Sequence, residues 1–156
     1  MSSALVTQNR LESWVSFLRA HSAITRQMNA DLLNEHGLTL NDYEVLLRLS
    51  HEEGGMMRRV DLAESVVLTA SGITRLLDGL ERAGHVEKAT CESDARGSYA
   101  KLTEAGAEKL SEASVTHLAG VEELFTSRFS SADLQALAEL LSRLPRTGKD
   151  SDRACG

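Results

Sequence analysis

Apolar residues recur at helical spacing along most of this chain. Leu11, Trp14, Val15 and Leu18 stand at i, i+3, i+4 and i+7, and Met28 and Leu32 carry a similar stripe onward. This spacing predicts one long helix over residues 9–35. Gly37 is placed to stop it, directly after His36. Thr39, with Asp42 three residues on, predicts the capped start of a second helix, whose buried face is Tyr43, Leu46 and Leu47. Gly54-Gly55 breaks that helix. Asp61-Leu62-Ala63-Glu64 forms the centre of a short third helix. Thr69 is placed to cap a fourth, running to Arg82, in which Ile73, Leu76, Leu77 and Leu80 repeat the stripe before Gly84.

The period then changes. Val86–Thr90 and Ser98–Leu102 read as two short strands, joined by a polar loop from Cys91 to Gly97 with Asp94, Arg96 and Gly97 near its tip. Thr103 caps a long helix carrying Leu110, His117, Leu118, Val121, Leu124 and Phe125. Ser130 or Ser131 starts a last helix, faced by Leu134, Leu137, Leu141 and Leu144, widened by Leu140 and ended by Pro145. Two short helices, a hairpin and a long helix, in that order, make a winged helix-turn-helix. The expected fold is mainly α, with long N- and C-terminal helices and a small two-stranded wing.

Composition narrows this reading. The chain has 156 residues, which suits one domain with a substantial core, and 42% of them are apolar. Pro145 is its one proline, which favours uninterrupted helices. No apolar run approaches the roughly 18 residues that span a bilayer, and MSSALVTQNR lacks the basic-then-apolar order of a signal peptide. No membrane partner is expected. Cys91 and Cys155 are far apart in sequence, so a disulfide framework is not expected and a reducing cytoplasm is the default.

Net charge is -6, which read globally argues against nucleic acid. Locally the picture differs: Arg58 to Lys101 holds seven basic and seven acidic residues, and the flanking segments carry the whole negative excess. The five histidines show no i, i+4 pair, so no metal site is expected. There is no Gly-rich phosphate loop and no nucleophile elbow, and His51-Glu52-Glu53 lacks the second histidine of a metalloprotease helix. We therefore expect no catalytic residues, no cofactor and no enzyme activity.

The fourth helix carries the functional expectation. With its apolar stripe turned inward, Thr69, Ala70, Ser71, Thr74, Arg75 and Asp78 are left outside. Small residues early in that helix permit close approach to a major groove about 12 Å wide. Ser71, Thr74 and Arg75 can hydrogen-bond to bases or phosphates. Arg96, near the hairpin tip, suits a narrow minor groove. Arg58, ahead of the third helix, is a candidate phosphate contact.

Several of these runs, taken together, resemble the multiple antibiotic resistance regulator (MarR) family. The likeness lies in Asp61-Leu62-Ala63-Glu64, Thr69 through Leu80, Leu80-Glu81-Arg82-Ala83-Gly84, Asp94-Ala95-Arg96-Gly97 and Leu102-Thr103-Glu104-Ala105-Gly106. It covers about residues 9–145. The resemblance implies a bacterial, cytoplasmic regulator of transcription that represses nearby genes from a palindromic operator in double-stranded DNA. It implies a single domain over 1–156. Helices in 9–36 and 103–145 would form a homodimer and 39–102 would form the DNA-binding lobe; beyond the resemblance, the polar run after Arg146 reads as a flexible tail over 146–156. Asp94 would hold the Arg96 side chain in the wing. Where many relatives carry a second basic wing residue, this chain has Ala95, one cation fewer per wing.

The resemblance further implies a small aromatic or phenolic ligand between the dimer helices and the DNA-binding lobe. The candidate wall residues are Trp14, Phe17, Arg19, His21, Met28, Tyr43 and Met56. Peroxide-sensing relatives use a cysteine near the start of the first helix, which this chain lacks, and Cys91 is expected to be an inert thiol. Independently of the resemblance, the apolar faces of the first and last helices exceed what one wing lobe can cover, which points to a second chain. The alternative from another class is a winged-helix interaction module with little affinity for DNA.

Overall fold

The computed structural model describes residues 2–66 and 70–145. Its first element, α1, runs Ser2–His36, starting seven residues before the helix expected from residue 9. No glycine or proline precedes Gly37, so nothing in the covalent chain stops the helix from extending backward. At 35 residues it is about 52 Å long at the usual rise. Gly37 ends it in a left-handed turn (φ 67°), its N–H donating to the Leu33 carbonyl at 3.0 Å.

The next helix, α2 (Leu40–His51), starts on a reciprocal cap: Thr39 Oγ1 accepts from the Asp42 N–H, and the Asp42 carboxylate accepts from the Thr39 N–H. Two left-handed glycines, Gly54 and Gly55, then turn the chain through a short 3-10 segment. After them come β1 (Met56–Arg58) and α3 (Arg59–Ser65). A three-residue strand is too short to show alternation, and β1 was not expected from the sequence. It pairs antiparallel with β3, Arg58 opposite Tyr99, so the wing hairpin sits in a three-stranded sheet of order β1-β3-β2.

α4 (Ala70–Arg82) leads to β2 (Val86–Cys91) and β3 (Asp94–Leu102). The long loop expected from Cys91 to Gly97 is absent; a tight turn at Glu92 and Ser93 joins the strands. Asp94 already faces Cys91 in the ladder, across an irregularity between Ala89 and Cys91. α5 (Glu104–Leu124) follows a side-chain cap from Thr103, and α6 (Ser131–Leu141) follows a capping box between Ser130 and Asp133. α6 ends four residues before Pro145. Arg143 and Leu144 bond three residues back in a tightened last turn, and the proline disfavours helical backbone at the residue before it.

The core belongs to the central lobe. Leu46, Leu49, Leu62, Leu77 and Val45 are fully buried, and Leu32 of α1 and Ala113 of α5 reach into the same cluster. The rest of α1 behaves differently. From Arg10 to Ser22 every residue is exposed, including Leu11 (58%) and Trp14 (56%), and no residue of α6 is fully buried. The core thus closes between the lobe and the adjoining stretches of α1 and α5, while the outer parts of α1 and α6 keep apolar surface open to solvent.

Candidate nucleic-acid interface

α4 splits as its stripe requires. Ile73, Leu77 and Leu80 are buried and Leu76 is half-buried, while Ser71, Thr74, Arg75 and Asp78 are exposed. Ala70 is the first residue of the helix. The expected cap, Thr69, lies outside the described residues. α3 is tied to α4 by Arg59, whose guanidinium stands 3.7 Å from the Glu81 carboxylate. The far end of α4 closes in a Schellman turn: His85 N–H donates to Leu80 O, Gly84 N–H donates to Glu81 O, and Gly84 takes φ 78°.

That turn is locked to the start of α5. Thr103 Oγ1 donates to Gly84 O at 2.6 Å and accepts from Gly106 N–H at 3.0 Å, while Thr103 N–H donates to His85 O. A Cβ on Gly106 would collide with the His85 carbonyl. The Thr-x-x-Gly pattern therefore has a packing reason: the hydroxyl holds the exit of α4, and only glycine admits the close approach.

The wing corrects one expectation. Asp94 does not hold Arg96. Its carboxylate pairs with the Arg58 guanidinium at 2.8 Å and accepts a hydrogen bond from the Tyr99 hydroxyl at 3.0 Å. The cause is the unforeseen strand β1, which sets Arg58 opposite Tyr99 and aims both at one face of the sheet. Gly97 leaves the room: a Cβ there would lie 2.5 Å from Asp94 Oδ2 and 2.8 Å from Tyr99 Cε2. Burial, then the Asp94 hydrogen bond and charge, push the Tyr99 phenol pKa above its usual value. Arg96 is exposed on β3 and is in no ion pair among the described residues. Sequence reasoning missed Arg58 and Tyr99 as partners of Asp94: Arg58 is supplied by a strand too short to see, and Tyr99 by a hairpin whose register is irregular between Ala89 and Cys91.

The seven candidate ligand residues do not converge on one place. Phe17 and His21 line an apolar cleft of about 470 Å³, between α1 and the chain from Phe125 to Leu141. The rings of Trp14, Phe17 and His21 follow one another along α1 at 6.4 Å centroid spacings. Trp14 and Arg19 are exposed and outside the cleft wall. Met28 is buried where α1 meets Gly120 of α5. Tyr43 is buried and stacks on His117, and Met56 is half-buried on β1. Phe125, Phe129, Leu137 and Leu141 complete the cleft and were not among the candidates, although Phe125 and Phe129 stand at i, i+4.

A polar seam joins α1 and α2 to α5. Thr116 Oγ1 donates to Glu35 at 2.6 Å and lies 2.7 Å from His36 Nε2, and Tyr43 OH lies 3.2 Å from Ser114 Oγ. Burial raises the pKa of Glu44, against the opposing charges of Arg48 and His21. Cys91, expected to be an inert thiol, is instead disulfide-bonded. Among the described residues there is no group of three or more metal-ligating side chains, and no helix long and apolar enough to cross a membrane.

A helix-turn-helix of α3 and α4, followed by a wing and framed by long helices, defines the winged-helix class of transcriptional regulators. A sequence profile of the MarR family matches residues 36–97. AbsC, a MarR family transcriptional regulator from Streptomyces coelicolor, is 36% identical with a TM-score of 0.78, over 84% of this chain and 88% of its own. The chain belongs to the MarR family of transcriptional regulators. It is also similar to the HTH-type transcriptional regulator MhqR of Bacillus subtilis (strain 168), at 25% identity over 92% of this chain and 97% of that protein. Sco3205 from Streptomyces coelicolor, a MarR family regulator solved in complex with DNA, shares the fold at TM-score 0.81 and 24% identity, over 87% of this chain and 85% of its own.

Proposed function

We propose that the chain acts as a homodimer that binds a palindromic operator in duplex DNA and represses nearby genes in the bacterial cytoplasm. The observation that carries this reading is the exposed polar face of α4, Ser71, Thr74 and Arg75, in the same lobe as a wing whose Arg96 is exposed and in no ion pair among the described residues. That pairing of surfaces suits a helix in the major groove and a cation in the minor groove. Arg58 contributes through the wing, since its guanidinium is engaged by Asp94. The DNA complex of Sco3205 supports the same reading by likeness of fold.

Dimerisation rests on the apolar residues of α1 and α6 that one chain leaves uncovered, Leu11, Trp14, Leu18 and Leu140 among them. Two-fold symmetry then sets half-sites about one helical turn, 10–10.5 bp, apart. A small aromatic or phenolic ligand enters at Phe17 and His21 and releases the DNA. Selection of bound duplexes from a random pool, repeated with aromatic acids present, tests the reading. A palindromic consensus, lost on adding a ligand that also raises the melting temperature, is the expected result. A monomer that retains no duplex in dilute buffer overturns it.

A further inference from the structure

We propose that Arg58, Asp94, Gly97 and Tyr99 form a brace that sets the angle of the wing on the lobe, so that Arg58 acts as a positioning residue rather than a phosphate ligand. This rests on the DNA-binding reading above and assigns the wing's contact with the duplex to Arg96. Three observations carry it. The Arg58 guanidinium meets Asp94 at 2.8 Å, and both side chains are largely withdrawn from solvent, at 24% and 31% exposure. Asp94 takes a second bond, from the Tyr99 hydroxyl, so one carboxylate joins the first residue of the wing strand to its middle and to β1. Gly97 is the residue over which that carboxylate folds, with no room for a methyl group.

The position of Arg58 gives the brace its leverage. It is the last residue of β1 and immediately precedes α3. Its bond to Asp94 therefore ties the foot of the helix-turn-helix to the outer end of the hairpin. A two-stranded hairpin has little stability alone and would swing about its base. Held by the brace, it presents Ala95 and Arg96 outward at a fixed angle to α4. Loss of the brace leaves Arg96 present but poorly aimed.

The test separates a brace from a phosphate contact by the sign of a charge change. On a duplex recovered by random-pool selection, Asp94→Asn removes a negative charge, which by charge alone strengthens DNA binding. The brace instead weakens it by about tenfold, the scale of a coupled side-chain contact. Arg58→Gln and the charge-neutral Gly97→Ala weaken binding comparably, and none of the three adds appreciably to Arg96→Ala. Equal or tighter binding by Asp94→Asn overturns the proposal, as does a full Arg58→Gln effect in the Arg96→Ala background. Hydrogen exchange on the free protein supplies the second arm. Wing amides exchange faster in all three variants while those of α2 keep their protection; unchanged wing exchange overturns the brace. A parent chain that binds no duplex defeats the functional reading, and exchange alone then decides the brace.

Discussion

The ring of His117 lies flat against that of Tyr43, centroids 4.3 Å apart and planes 22° from parallel. One ring belongs to α5 and the other to α2, so the stack joins the framing helices to the lobe that carries α4. Burial lowers the pKa of His117 below its ordinary 6.5.

A pH dependence follows from that burial. The native state favours neutral His117, so between its lowered pKa and 6.5 the unfolded chain binds more protons. The contribution is fully present above pH 6.5 and is lost as pH falls through the lowered value. Melting temperatures measured from pH 8 to pH 5 should fall for the parent chain. The fall should be shallower for His117→Gln, which cannot take up the proton.

Two glycines should answer oppositely to the same substitution. Gly106→Ala forces a methyl into the His85 carbonyl and should cost about 1–3 kcal/mol, the usual scale of overpacking. Gly79→Ala meets nothing within 4 Å inside α4 and should stabilise by about 0.4–1 kcal/mol through the unfolded chain. Denaturant midpoints at constant slope measure both, and equal effects would remove the packing explanation of the Thr-x-x-Gly start.

The two DNA-facing surfaces should separate by kind of defect. Arg96→Ala should weaken binding to every duplex, because a minor-groove cation reads shape and charge more than base identity. Ser71→Ala should change which duplexes are preferred, because early residues of a recognition helix reach base edges. Selection from a random pool with each variant checks the contrast. Tight binding by Arg96→Ala at moderate salt would assign the wing another task.

The open apolar faces should fail together when charged. Trp14→Glu on α1 and Leu140→Glu on α6 each place a carboxylate on a surface that is 56% and 53% exposed in one chain. Folding of the lobe should survive, since its core does not include either residue. Sedimentation should show a monomer, and DNA binding should be lost with the dimer.

Much of this molecule was legible in the order of its residues. The apolar stripes of α1, α2 and α4, the caps at Thr39, Thr103 and Ser130, and the stops at Gly37 and Gly84 are local. Each is written within one or two helical turns and needs no distant partner. The outward set Ser71, Thr74, Arg75 and Asp78 follows from the same periodicity, and the wing hairpin from the change of period after Gly84.

Tertiary structure decided what joins residues far apart in the chain. Strand β1 exists because three residues find β3 beside them, and Asp94 binds Arg58 only once that strand is in place. The scatter of Met28, Tyr43 and Met56 away from Phe17 and His21 is likewise a matter of packing between helices. Sequence spacing specifies which face of a helix a residue occupies. Which neighbour that face meets is set by non-local contacts that no single segment encodes.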